Sequence, residues 1–210
     1  MKRRSTQLIT GILLAGMLAI AGCGDAGATE SVVTVVRPME VNEAAPIPKS
    51  TSVSEVTKYS NINDFISSRP KGTAYAKLAL NGKDVVIIAD STFKYGDKNV
   101  AFKGKVYSVV GGNVCCVAHL NNNGTAYTFG YGNGVLYSCT IRTYETYTVT
   151  SDGMLVHKDY VVESFDTDPH GTYTIVNSDG TTSPLVGGYE AYQKLYDNSN
   201  NAPSVNFTIK

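Results

Sequence analysis

The segment Asp166-Thr167-Asp168-Pro169-His170-Gly171 has the acidic spacing with which a helix-flanked calcium loop begins. Calcium takes six or more oxygen ligands, and such a loop also needs a bidentate carboxylate at its twelfth position. Here the twelfth position is Asn177, and strands rather than helices are predicted on both sides. A turn between two strands explains the segment better. Asp166 and Asp168 stay incomplete candidates for a metal site, and no cofactor is expected.

No catalytic constellation is evident elsewhere. His119, His157 and His170 fall singly on different predicted strands or turns, without the spacing of a zinc site. The chain has neither a Gly-x-Ser-x-Gly elbow nor a phosphate-binding glycine loop. Carboxylate pairs such as Glu163 and Asp166 could serve a hydrolase assembled from distant residues, but their spacing assigns no roles. The sequence therefore predicts no catalytic residue.

Cys115, Cys116 and Cys139 lie in predicted strands. If successive strands form a meander, Cys139 lies two strands away from the other two, about 10 Å across the sheet. That exceeds the limit of roughly 7 Å between disulfide-bonded α-carbons. Adjacent residues of a strand face opposite sides, so a bridge between Cys115 and Cys116 would distort it. Small buried thiols are expected instead.

Tyrosine is abundant, with 14 residues, and there is no tryptophan. Five tyrosines fall within one stretch of predicted strands: Tyr127, Tyr131, Tyr137, Tyr144 and Tyr147. In a meander they could form a flat aromatic surface, and such surfaces with polar edges suit sugars, peptides and protein partners. The alternative is that they serve the fold alone, because tyrosine is a good strand residue.

The N-terminus has the layout of an export signal. Lys2, Arg3 and Arg4 precede an apolar run of 13 residues, 8–20, whereas a membrane-spanning helix needs roughly 20. Ile20-Ala21-Gly22-Cys23 follows and resembles the lipobox of bacterial lipoproteins. The resemblance covers only the first 23 residues. It implies a signal peptide of residues 1–22, cleavage before Cys23, and a diacylglyceryl thioether on that cysteine.

This resemblance implies an exported protein, lipid-anchored to a bacterial membrane and facing outside the cytoplasm. The alternative is an ordinary secretory signal in which Cys23 is incidental. Removing the leader leaves 15 basic residues against 18 acidic ones, a net charge of about −3, so no nucleic-acid partner is expected. The rest of the chain resembles only bacterial lipoproteins of unknown activity with β domains rich in tyrosine and glycine.

Two regions are predicted after the leader. Residues 23–59 lack helical periodicity and contain Pro38, Pro46 and Pro48, so we interpret them as a flexible tether with a span of roughly 30 Å. Residues 60–210 form the domain. A short helix is expected first, capped by Asn61 or Asn63 and stopped by Pro70.

Strands joined by tight turns then follow, with Asn81-Gly82 as the strongest hairpin signal. The predicted strands are residues 73–80, 84–90, 105–110, 114–120, 125–131, 135–141, 144–150, 155–163, 172–177 and 205–209. We predict an all-β fold, an antiparallel meander closed into a barrel or packed as a two-sheet sandwich. Within 135–141, Val135, Tyr137, Cys139 and Ile141 are expected on one buried face. Strand 85–89 is apolar on both faces, and a C-terminal helix at 189–196 could cover it.

These features favour a non-enzymatic module that binds a glycan or protein at the cell envelope. A structural or accessory subunit of an envelope assembly, joined through an exposed strand edge, is the first alternative. A hydrolase is the second alternative. Oligomeric state is left open by the sequence.

Overall fold

The computed structural model describes residues 52–122, 127–164 and 171–210, which form two antiparallel six-stranded sheets and a small hairpin. The strands in chain order are β1 (Glu55–Val56), β2 (Ala74–Leu80), β3 (Lys83–Ala89), β4 (Phe93–Tyr95), β5 (Lys98–Val100), β6 (Lys103–Val110), β7 (Asn113–Asn121), β8 (Gly130–Gly132), β9 (Val135–Tyr137), β10 (Thr143–Val149), β11 (Leu155–Ser164), β12 (Thr172–Val176), β13 (Thr182–Pro184) and β14 (Thr208–Ile209). The helices are α1 (Ile62–Ser67) and α2 (Gly188–Asn201). Neither helix of these described ranges is long and apolar enough to cross a membrane.

The first sheet has the strand order β1-β7-β6-β3-β2-β14. Its hairpin β2–β3 turns at Asn81-Gly82, where both residues have positive φ, as the two-residue turn requires. The first and last of the described strands supply the edges, since β1 pairs with β7 and β14 pairs with β2. The hairpin β4–β5 is a separate two-stranded sheet inserted between β3 and β6.

The second sheet is a simple meander with the order β13-β12-β11-β10-β9-β8. The predicted antiparallel β fold is therefore confirmed, and the two sheets pack as a sandwich. Strand 135–141 is shorter than predicted, since β9 ends at Tyr137 and the chain turns back between Thr140 and Thr143. The Thr140 and Thr143 hydroxyls lie 2.8 Å apart and close that turn. Strand 125–131 is reduced to β8 in its described part.

The inner faces of the two sheets share one apolar core. The first sheet contributes β-branched and aliphatic side chains, while the second contributes aromatic and aliphatic ones. The fully buried members include Leu80, Val85, Ile87, Val106, Val117, Phe129, Leu136, Val149 and Leu155. Two sheets that bury one face each against the other form a sandwich.

Each sheet also has a covered outer face. Ile62 and Phe65 of α1 pack against Val86, Tyr107 and neighbouring side chains of the first sheet. The cover over residues 85–89 is therefore α1, and the expectation that the C-terminal helix provides it is wrong. Helix α2 instead packs against the second sheet through Tyr192. Two short helices can do this because each sheet presents its own apolar outer face.

The single buried face predicted for residues 135–141 is also wrong. Leu136 points into the core between the sheets, while Tyr137 and Cys139 pack on the α2 side. Ile141 is exposed. Alternation alone could not identify this arrangement, since a strand covered on both faces has no polar side.

Helix α1 starts as predicted. The Asn61 side chain accepts a hydrogen bond of 2.9 Å from the backbone N–H of Asp64, which is the expected N-cap geometry. The chain before the helix is part of the sheet, because Ser54 and Thr57 donate backbone hydrogen bonds to β7. Part of the stretch predicted as tether thus belongs to the folded domain. Cys23 and the predicted leader lie outside the described residues.

Candidate functional site

The five tyrosines predicted as one aromatic surface lie in different settings. Tyr144 and Tyr147 are buried on opposite faces of the second sheet. Tyr131 packs against the inter-sheet core, and its hydroxyl donates a 2.8 Å hydrogen bond to the Ala79 carbonyl. Tyr127 and Tyr137 line a common pocket. The five side chains therefore do not share one exposed surface.

That pocket, which we call the tyrosine pocket, has a volume of about 250 Å³ and lies at the C-terminal end of α2. Three tyrosines contribute to its walls, together with small and polar side chains. Its principal lining residues are Tyr95, Tyr127, Tyr137, Ser199, Asn200 and Ser204. They come from the β4–β5 hairpin, from the β8–β9 region, and from the end of α2 with the chain after it.

Backbone pairing brings these distant segments together. The chain leaving α2 runs beside β8, where Ser204 forms an antiparallel bridge with Gly130. The backbone N–H of Tyr131 donates to the Pro203 carbonyl over 2.9 Å. Gly130 is needed for this approach, since a Cβ there would lie 3.3 Å from the Cβ atoms of both Ala202 and Tyr137. A side chain at this position would push on two walls of the pocket.

Tyr127 is held from two directions. Asn122, which is buried, donates from Nδ2 to the Tyr127 carbonyl over 2.7 Å, and its Oδ1 accepts from the Ser138 hydroxyl. The phenol of Tyr127 is hydrogen-bonded to that of Tyr196, and the rings meet edge to face with centroids 6.5 Å apart. Burial is the largest cause of a raised pKa for the Tyr196 phenol, and the hydrogen bond to Tyr127 is the second. The raised pKa keeps the Tyr196 phenol protonated near pH 7.

The polar groups of the pocket are uncharged. None of its lining residues, all within the described ranges, carries a formal charge. The Thr128 and Ser204 hydroxyls are 3.2 Å apart and pair with each other, and the Ser199 hydroxyl donates to the Tyr196 carbonyl. Among the described residues, the phenol of Tyr137 has no hydrogen-bond partner. It is available to a ligand.

Cys139 also lines the tyrosine pocket. Its Sγ contacts the Glu145 carbonyl oxygen at 3.6 Å. Burial is the dominant influence and raises the pKa of the Cys139 thiol above its ordinary value. The thiol is therefore protonated at neutral pH and is a poor nucleophile.

The remaining described cysteines are structural, as expected. Cys115 faces the core between the sheets and Cys116 faces α1, so adjacent residues of β7 point to opposite sides. Both are free thiols, and so is Cys139. Cys139 follows β9 in the second sheet, whereas the other two lie in the first.

A second polar cluster joins β10 and β11. The Glu145 carboxylate lies 3.1 Å from Nε2 of His157 and accepts a 2.6 Å hydrogen bond from the Tyr147 phenol. The imidazole lies between aromatic rings, stacked on Tyr160 at 4.9 Å between centroids. Burial is the main cause that raises the pKa of Tyr147, and the negative charge of Glu145 is the second. The same two causes raise the pKa of Tyr160 to about 12.

This cluster has the acid–imidazole half of a catalytic triad but lacks a nucleophile. Among the described residues, no Ser, Thr or Cys side chain is hydrogen-bonded to His157. Its two phenols are held in their protonated form by the raised pKa values. The arrangement orients side chains within the sheet and supplies no evident reaction.

The other predicted candidates do not converge. His119 is exposed and only 3.5 Å from the Ser54 hydroxyl, a distance at the limit for a hydrogen bond. Glu163 accepts a hydrogen bond of 2.9 Å from the Tyr173 phenol. Asp166 and Asp168 lie outside the described residues. In the ranges that are described, no group of three or more His, Cys, Asp and Glu residues could hold a metal ion.

Several pocket residues have no signal in the sequence. Tyr95 lies 35 residues before β8, whereas Ser199, Asn200 and Ser204 lie about 70 residues after it, in polar stretches typical of helix ends and loops. Backbone pairing of the chain after α2, with β8 and with Asn99 of β5, brings them together. No protein-family model, no curated protein and no solved structure matches the chain.

Proposed function

We propose that the protein is an exported bacterial lipoprotein, anchored through lipid on Cys23, whose β domain binds a ligand in the tyrosine pocket. The single observation that carries the proposal is the pocket itself, where three tyrosines and several uncharged polar side chains from distant segments face one space. Apolar and aromatic walls with a few polar groups are typical of binding sites for small molecules. The lipobox resemblance supports the anchor.

Binding is favoured over catalysis by the chemistry of the pocket walls. A nucleophile must be activated by a neighbouring base or by a lowered pKa. The only thiol of the pocket, Cys139, has a raised pKa, and none of the described lining residues is a histidine or a carboxylate. A hydrolase would need acid–base groups that these walls do not supply.

The alternative of an assembly subunit depends on exposed strand edges. An edge recruits another chain best when it is long and flat. Here the edge strands β1 and β14 have two residues each, and β8 and β13 have three. Ser204 also pairs with part of β8. Short edges of this kind argue against strand addition as the main activity.

The proposal is tested by a ligand screen on the wild-type chain and on a variant whose pocket is blocked. The full chain, solubilised in a detergent without a sugar headgroup, is heated in the presence of glycans, peptides and small metabolites. A ligand at 100 times its Kd should stabilise the fold by about 2.7 kcal/mol and raise Tm. Asn200→Trp places a large ring in the pocket and should abolish that shift.

Asn198→Trp is the matched control. Asn198 is exposed on the same helix, two residues away, and does not line the pocket. Binding should survive this change. A ligand whose stabilisation persists in Asn200→Trp, or a screen in which no ligand stabilises the wild-type chain, would contradict the proposed function.

A further inference from the structure

We infer that the tyrosine pocket binds an uncharged sugar or a related polyol ring, an inference that rests on the proposed function and names its class of ligand. It follows from three properties of the walls: their charge, their hydrogen-bonding groups and their shape. Each excludes a different class of alternative ligand.

The charge of the walls disfavours anions and hydrated metal cations. No lysine, arginine, aspartate or glutamate is among the described residues that line the pocket. Helix α2 ends there without a basic residue in its last turn, so its C-terminal dipole makes the site weakly negative. An anion at the C-terminal end of α2 would be repelled by this dipole, and no basic side chain there would neutralise it. A cation would lose hydration without gaining a carboxylate, and burying an unpaired charge is costly.

The hydrogen-bonding groups exclude a purely apolar ligand. Tyr137 presents a phenol that has no partner among the described residues, and the Asn200 side chain is exposed at the rim. The Thr128 and Ser204 hydroxyls pair with each other and retain further capacity to donate and accept. A hydrocarbon would remove water from these groups without replacing its hydrogen bonds. Sugar hydroxyls both donate and accept, as these walls require.

The shape of the walls suits one ring. A tyrosine face is a flat apolar platform on which the C–H side of a sugar can lie, while its hydroxyl edge reaches polar groups. The volume of about 250 Å³ is below the roughly 300–1,000 Å³ of pockets that enclose drug-sized molecules. Tyr95 is 66% exposed and stands at the entrance, so the end of a longer glycan can enter.

Cys139 provides a reporter inside the pocket. A small thiol reagent, methyl methanethiosulfonate, reacts with the full chain in a detergent without a sugar headgroup, and mass spectrometry follows the modification of each cysteine. Cys139 is buried in the pocket wall and reacts slowly even when the pocket is empty, so a ligand at ten times its Kd should slow its modification further, about tenfold. Cys115 and Cys116 lie in other clusters and are internal controls whose rates should not change.

The probes are chosen in pairs that differ in one property. Glucose, galactose and N-acetylglucosamine are compared with glucuronate, which adds a charge, and choline is compared with its neutral isostere 3,3-dimethylbutanol. The variants are Tyr95→Ala, which removes the entrance ring, and Tyr137→Phe, which removes only the free phenol. Tyr189→Ala is the matched control, because Tyr189 is 52% exposed on α2 and lies outside the pocket.

We expect at least one neutral sugar to protect Cys139 in the wild type and in Tyr189→Ala, with protection weakened at least fivefold in Tyr95→Ala and Tyr137→Phe. Protection by choline, glucuronate or dimethylbutanol without any by the sugars would overturn this inference while leaving a binding function in place. Sugar protection that is unchanged in both pocket variants would also overturn it. Failure of every probe, together with an empty ligand screen, would remove the proposed function as well.

Discussion

Gly153 offers a direct test of how the two sheets meet. It lies in the turn between β10 and β11, with φ at +95°, a conformation that side chains rarely adopt. A Cβ at this position would lie 2.0 Å from the carbonyl oxygen of Val109 and 2.9 Å from its carbonyl carbon. Val109 belongs to β6, so this turn of the second sheet touches the first.

Gly153→Ala should lower the free energy of unfolding for two reasons. The left-handed conformation costs about 1–2 kcal/mol for an alanine. Displacing the Val109 backbone adds about 1–3 kcal/mol, as overpacking does elsewhere. Gly82→Ala is the matched control, because Gly82 has φ at +75° and nothing lies within 4 Å of its Cβ position. Gly82→Ala should lose only the about 1–2 kcal/mol of unfolding free energy that the left-handed conformation costs.

The free energy of unfolding is measured by urea denaturation, followed by tyrosine fluorescence because the chain has no tryptophan. We expect Gly153→Ala to lose about 1–3 kcal/mol more than Gly82→Ala, with similar m-values. In a domain of this size each kcal/mol lowers Tm by about 2–4 °C. If the two variants agree within about 0.5 kcal/mol, the turn at Gly153 does not press on Val109 and the packing of the sheets described above is wrong.

Three further predictions concern the anchor, the pocket wall and the buried phenols. Cys23→Ala should leave the domain folded but move the protein from the membrane to the soluble fraction on cell fractionation; retention on membranes would contradict lipidation. Asn122→Ala should cost about 1–3 kcal/mol in urea, since it leaves the Ser138 hydroxyl and the Tyr127 carbonyl unpaired, and it should also weaken ligand binding. The pKa of Tyr160 is raised to about 12, so stability should be intact below pH 10 and fall above it, as the unfolded chain loses the proton first. The slope from this residue is about 1.4 kcal/mol per pH unit up to pH 12, and alkaline titration of Tyr160→Phe should show a shallower decline.

In the proposed function, the lipid anchor and the ligand site lie far apart in the sequence. In that proposal the anchor depends on Cys23, and the pocket is lined by residues from 95 to 204. Loss of one should therefore leave the other intact. A Cys23→Ala chain that still shows protection of Cys139 by a neutral sugar would separate the two properties in one experiment.

Part of the candidate site could be predicted from the sequence. The excess of tyrosine pointed to Tyr127 and Tyr137 among five candidates, and both line the pocket. Tyr144 and Tyr147 were equally plausible, because a strand pattern does not show which faces another layer will cover. The partners of the pocket tyrosines come from α2 and the chain after it, and no local pattern links residue 204 to residue 130.

The sequence by itself determined the local features of this protein. The pattern predicts a helix capped by Asn61 or Asn63, a hairpin at Asn81-Gly82, and opposite faces for the adjacent Cys115 and Cys116, because each depends on the chemistry of a few neighbouring residues. The tertiary structure alone decided that the strands divide into two sheets, that α1 and α2 cover their outer faces, and that Ser204 pairs with Gly130. Those contacts join residues far apart in the chain, and their stability comes from burying surfaces that exist only once both sheets have formed.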